Sequence, residues 1–218
     1  MAVATSEGSA PYAARLEIDY PERLDRLTTL LRAIWIIPIV VVVGVLSGGG
    51  TQWVFTQSGE LVQASTLGVS GGLFLATLLM LLFRRRYPRW WFDFLLELNR
   101  FSTRVGAYAL LLTDRYPSTT DEQSVHLDID YPDAERDLNR WLPLIKWLLA
   151  LPHWLVLGVL SILAMFAVVI AWFAILLTGR YPRPLFDFVV GISRWALRVA
   201  AYSFFLVTDR YPPFRLES

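Results

Sequence analysis

The sequence predicts an all-α membrane protein made of two tandem repeats. Each repeat is a transmembrane helical hairpin plus a long amphipathic interfacial helix, with a short extended IDYP segment ahead of it. Three observations predict this. Of the 218 residues 55% are hydrophobic and the mean hydropathy is +0.46, more apolar than an ordinary soluble domain. The apolar residues gather in runs of about 20, the length that crosses a hydrocarbon core. One series of motifs also occurs twice in the same order.

Residues 1–14 are small and polar, with no basic n-region of a signal peptide, and are expected to be a disordered tail. The first repeat covers 15–117. It opens on RLEIDYP, where Leu16, Ile18 and Tyr20 alternate with Glu17 and Asp19 as in a half-exposed strand. A first span is expected over 28–47. Its only charge is Arg32, and Pro38 lies inside it and should bend it. A polar loop from Ser47 to Ser65 follows, without Lys or Arg and with a Trp53-Val54-Phe55 patch suited to a membrane surface. A second span is expected over 67–83 and ends at Arg84, Arg85, Arg86 and Arg89. Basic residues flank this pair of spans and none lies between them. The positive-inside rule then places the flanks in the cytoplasm. A helix over 90–113 carries Asp93, Glu97, Arg100 and Arg104 at spacings that form one stripe. That stripe suits either an interfacial helix facing water or a third span turned into a protein interior.

An acidic linker over 118–126 leads to the second repeat, 127–218. LEIDYP at Leu16 returns as LDIDYP at Leu127, RRYPR as GRYPR, FDF as FDF, and TDRYP at Thr113 as TDRYP at Thr208. Trp141 to Thr178 is nearly all apolar, with Lys146 and His153 as exceptions. As one helix it would reach about 57 Å, roughly twice the hydrocarbon thickness. It is therefore expected to fold back near Gly158 to Ile162, giving spans over 141–159 and 162–178, with Pro152 kinking the first. An amphipathic helix over 184–208 closes the repeat.

The run GRYPRPLFDFVVGISRWALRVAAYSFFLVTDRYPPF, Gly179 to Phe214, resembles an uncharacterised bacterial integral-membrane family classed as a domain of unknown function. That family has an LPH step in the preceding span, present here as Leu151-Pro152-His153. The resemblance is close in the second half and looser in the first, where Pro38 has no histidine beside it. It implies membrane location and repeat architecture, and no reaction.

Two sets of residues are candidates for function. Asp93, Arg100, Arg104, Asp187, Arg194 and Arg198 form the polar stripes, a polar or lipid-facing site. Arg86, Tyr87, Arg115, Tyr116, Arg180, Tyr181, Arg210 and Tyr211 stand at Arg-Tyr-Pro steps. There tyrosine favours the headgroup layer, arginine pairs with phosphate, and proline stops a helix leaving the bilayer. The chain has no cysteine and two histidines, a poor basis for a metal site, so neither metal nor cofactor is expected. No phosphate-binding loop, dinucleotide fingerprint or nucleophile elbow is present, and the arginines cluster at predicted membrane edges rather than on a nucleic-acid face. The sequence thus implies a multi-pass cell-membrane protein with both termini cytoplasmic. It is expected to be a non-enzymatic scaffold or accessory protein engaging lipid headgroups, another membrane protein or itself. The alternative is a transporter or channel with its polar site between the halves.

Overall fold

The computed structural model describes residues 12–47, 51–55, 61–65, 69–119, 121 and 123–217. The expected tail falls mostly outside them. Tyr12 and Ala14 do not belong to a tail: both are buried, and the Tyr12 hydroxyl donates to the Arg210 carbonyl at 3.0 Å.

Two strands hold the centre. β1 (Ala14–Ile18) and β4 (Val125–Ile129) pair antiparallel, with Leu16 opposite Leu127. Alternation decides the faces. Leu16, Ile18, Val125, Leu127 and Ile129 are buried, while Arg15, Glu17, His126 and Asp128 are exposed. The two IDYP segments therefore meet across one sheet, and β4 takes up the last two residues of the expected linker.

After β1, Asp25 caps α1 (Arg26–Trp35) by accepting from Thr28 N at 3.0 Å and from the Thr28 hydroxyl at 2.6 Å. The helix breaks at Ile36 and resumes as α2 (Ile37–Ser47), bent by 42°. Pro38 sits in the first turn of α2, where its missing N–H costs least. The expected polar loop contains two strands, β2 (Thr51–Phe55) and β3 (Leu61–Ser65), paired antiparallel. TQWVF and LVQAS carry Thr, Trp, Val and Phe, residues that favour strands; the Trp53, Val54 and Phe55 side chains lie outside the described residues. α3 (Val69–Leu79) ends in a π-helical turn, Met80–Arg84, and Arg85 follows in the left-handed conformation at φ 50°.

The amphipathic helices are α4 (Arg89–Ala109) and α7 (Arg183–Ser203). Each lies against the strand of the opposite half, α7 on β1 and α4 on β4. Leu111 and Leu206, at equivalent places just beyond them, are both left-handed, at φ 65° and 58°.

The second apolar stretch differs from expectation. α5 (Pro143–Leu149) stops at Ala150, and α6 (Leu151–Thr178) then runs unbroken for 28 residues. No reversal occurs at Gly158 to Ile162. A turn there would strip backbone groups of their bonds among side chains unable to replace them. Pro152 lies in the first turn of α6 and starts the helix instead of kinking it. At Gly179, left-handed at φ 73°, the chain leaves α6, and α7 folds back along it until Trp195 meets His153. Gly191 leaves room for the C-terminal tail, since a Cβ there would stand 2.9 Å from Leu216 Cβ.

Candidate functional site

Among the described residues the polar stripes do not converge on a cavity. Two of their arginines tie the halves together. Arg194 Nε donates to the Leu16 carbonyl at 2.8 Å, and Arg100 Nε donates to the Leu127 carbonyl at 3.0 Å. Arg100 also pairs with Glu97 at 2.7 Å and Asp128 at 3.1 Å. Arg104 donates to the Ser118 carbonyl at 2.9 Å. Arg198, only 3% exposed, holds the Arg215 and Glu217 carbonyls at 2.7 and 2.9 Å. Asp93 and Asp187 are apart from these contacts: both are exposed and neither has an ion-pair partner among the described residues.

The Arg-Tyr-Pro steps divide. Tyr116 and Tyr211 are exposed, as are Arg86, Arg115, Arg180 and Arg210. Tyr87 and Tyr181 are not surface anchors, because their rings are inside the protein, and burial pushes both phenols above their ordinary pKa. Their backbone carbonyls are the useful groups. The Tyr20 hydroxyl donates to the Tyr181 carbonyl at 2.5 Å, and the Tyr131 hydroxyl donates to the Tyr87 carbonyl. Around each bond the same rings return. Tyr20 meets Phe186 edge-on at 5.0 Å and Tyr131 meets Phe92 at 5.2 Å. Arg183 covers Tyr20 at 4.1 Å and Arg89 covers Tyr131 at 5.1 Å.

Two buried cations complete the arrangement, and neither was among the sequence candidates. Arg32 of α1 donates to the Tyr108 and Thr113 carbonyls at 2.8 and 2.9 Å, pairs with Asp114, and lies over the Tyr108 ring. Lys146 of α5 donates to the Thr208 carbonyl at 2.7 Å, pairs with Asp209 at 2.6 Å, and lies over the Tyr202 ring. Each aspartate also accepts a backbone N–H at a helix start, Asp114 from Asp25 and Asp209 from Asn139. The signal was present in the sequence as one charge in each apolar run and one aspartate in each TDRYP. A charge at such a place needs a partner.

His153 is fully buried in an aromatic box. Its Nδ1 accepts from Trp195 Nε1 at 3.1 Å and its ring stacks on Phe214 at 3.9 Å. The indole can only donate, so the neutral ring carries its proton on Nε2, which has no partner among the described residues. Among the described residues no group of three or more His, Cys, Asp or Glu could hold a metal ion.

The segment that carries Lys146, His153, α6, α7 and Asp209 is also the one that a family comparison recognises. Residues 141–215 match the family model described as Domain of unknown function (DUF4389). No curated protein and no solved structure matches the chain. The DUF4389 match begins just before α5 and ends in the tail that Arg198 holds, so the LPH step and the TDRYPPF run both fall within it.

Among the described residues one helix, α6, is long and apolar enough to cross a membrane, and α1 with α2 meets the same measure if the bent pair is one segment. At 1.5 Å per residue α6 is about 42 Å long. In its most apolar 18-residue stretch only 22% is buried. The buried residues form a narrow stripe, His153, Leu157, Ala164, Ala167, Ala171 and Ile175. Leu155, Met165, Phe166, Phe173 and Leu177 point outward.

Proposed function

We propose that this chain is an integral membrane protein of two tandem modules, with no catalytic role, that acts as a scaffold or accessory protein at the lipid headgroup layer or for a membrane partner. The observation that carries the reading is the uncovered surface of α6. A helix in the core of a soluble protein is covered; α6 shows apolar side chains over most of its circumference, which is the surface a bilayer accommodates. Duplication is supported by the reciprocal bonds, in which Tyr20 and Tyr131, Arg100 and Arg194, and Arg32 and Lys146 repeat one pattern.

In this reading the protein is multi-pass, and the sheet, the linker and both termini are cytoplasmic. The sheet favours helices α4 and α7 lying at the interface over helices crossing the bilayer. It holds Arg100 and Arg194 at the Leu127 and Leu16 carbonyls, while Arg15, Glu17, His126 and Asp128, the last paired with Arg100, are exposed, and charges so placed belong in water. Cysteine labelling tests this, because the chain has none of its own. Single variants Thr119→Cys in the linker and Ser58→Cys between β2 and β3 are exposed to an impermeant thiol reagent on intact cells. The expected result is protection at 119 until lysis and labelling at 58. Labelling of 119 in intact cells overturns the cytoplasmic placement, and protection of 58 overturns the outward crossing.

A further inference from the structure

The Arg-Tyr-Pro junctions ahead of α4 and α7 correspond in sequence, but one is closed and the other is open. At the closed junction Leu24 N donates to the Gly179 carbonyl at 2.9 Å, and Arg26 reaches across to the Leu177 carbonyl at 3.1 Å. The connection from Pro21 to Asp25 thus lies directly on Gly179. At the open junction the corresponding connection, Pro132 to Asn139, is three residues longer. Its Arg140 still reaches the Leu82 carbonyl at 2.6 Å, but among the described hydrogen bonds none joins Leu138 N to Arg85. The extra length leaves a groove of about 710 Å3 between Met80–Arg89 and Tyr131–Glu135.

The chemistry of that groove is specific. Arg84, Arg85, Arg86 and Arg89 line one wall. All four are exposed, and Arg84, Arg85 and Arg86 have no side-chain partner among the described residues. Arg89 lies over the Tyr131 ring. The facing wall carries two carboxylates, Asp133, paired with Arg136 at 3.7 Å, and Glu135. Guanidinium groups outnumber carboxylates two to one, so the groove favours an anion. Arg85 adds an independent sign. It is left-handed at φ 50° where the closed junction has Gly179 at φ 73°. A side chain in that region is strained, and glycine is the residue that relieves it. Retained strain of this kind points to use. Below the arginines, Met80 lines the groove and Phe83 of the same apolar helix is exposed. An anionic head and an apolar tail would therefore find their own surfaces side by side.

We infer that this groove is a binding site for an anionic phospholipid, its phosphate held by Arg84, Arg85, Arg86 and Arg89 and its acyl chain lying along α3. The inference rests on the membrane reading above. The test uses the full chain, purified in neutral detergent, with thermal unfolding followed as lipid is titrated. Phosphatidylglycerol is expected to raise Tm, while phosphatidylcholine and free glycerol 3-phosphate leave it unchanged. In R84Q/R86Q the apparent affinity for phosphatidylglycerol falls roughly thirtyfold. Arg85→Gly is the sharper variant: relief of strain raises its Tm without lipid while the shift caused by phosphatidylglycerol shrinks. An equal shift with phosphatidylcholine, an equal shift with glycerol 3-phosphate, or an undiminished phosphatidylglycerol shift in R84Q/R86Q each overturns the site. Membrane fractionation of the wild-type chain separates the two ideas. A chain that fractionates as soluble overturns the membrane reading, whereas a chain in the membrane with no lipid preference overturns the groove alone.

Discussion

Arg32 and Lys146 each hold a single positive charge inside the protein, with side chains 4% and 0% exposed. Removing the partner of a buried charge is worse than removing the charge, because the orphan keeps its desolvation cost. Asp114→Asn should therefore cost about 3 kcal/mol, read as a lower Tm in detergent. Lys146→Met should cost less than Asp209→Asn, because Asp209 stays partly exposed and keeps its bond from Asn139 N. Equal losses from Lys146→Met and Asp209→Asn would argue against that asymmetry. Asp25 gives a prediction in pH. The Thr28 hydroxyl, then the Thr28 and Leu27 N–H groups, hold its carboxyl below its ordinary pKa. A depressed folded value means that the stabilisation is present above the ordinary carboxylate range, near 4, and is lost as pH falls through the depressed value. Thermal unfolding between pH 6 and 2 should show this loss in the wild type, and Asp25→Ala should lower Tm at neutral pH and remove that part of the slope.

Among the elements, the sheet is the one most exposed to test. Glu17 and His126 face each other across β1 and β4 on the exposed side. A Glu17→Cys/His126→Cys pair in this cysteine-free chain should oxidise to a disulfide, seen as faster migration on a non-reducing gel. A register slipped by one residue would send the two thiols to opposite faces and leave them reduced. The strands were legible because period-two alternation is a local signal, and the IDYP repeat identified both. The bend near Pro38 and the starts of α4 and α7 were legible for the same local reason, whereas the far ends of those two helices, expected at 113 and 208, fall at Ala109 and Ser203. α6 was not. Nothing in an all-apolar run records where a helix ends except a breaker, and Gly158 alone is too weak a breaker to do it. The β2–β3 pair was hidden by the Gly, Thr and Ser around it, which also suit a loop. The partners of the stripe residues were out of reach altogether. Arg194 bonds a carbonyl 178 positions away, and one sequence without such a contact in view reads that arginine as available to lipid.

At the scale of the molecule, the halves exchange their bonds. Tyr20→Phe and Tyr131→Phe each remove one hydroxyl from a carbonyl of the opposite half and should each cost about 1 kcal/mol. The effects should add, since the two bonds stand at different junctions and share no partner; a measured coupling above about 0.5 kcal/mol would show that the junctions communicate. A chain divided between 119 and 121 should leave neither piece stable alone, while the co-expressed pieces should co-purify. Recovery of a folded single half would overturn the exchange.

The same exchange sets a timetable for synthesis. β1 leaves the ribosome near the start of translation, yet the strand it must pair with follows roughly 110 residues later, an interval of about 5 to 20 s at ordinary elongation rates. The acceptor for Tyr20 is made later still, at Tyr181. Throughout that time β1 has a bare strand edge. The first half is a nascent chain waiting for its own second half, and its hazard in the cell is greatest before translation ends.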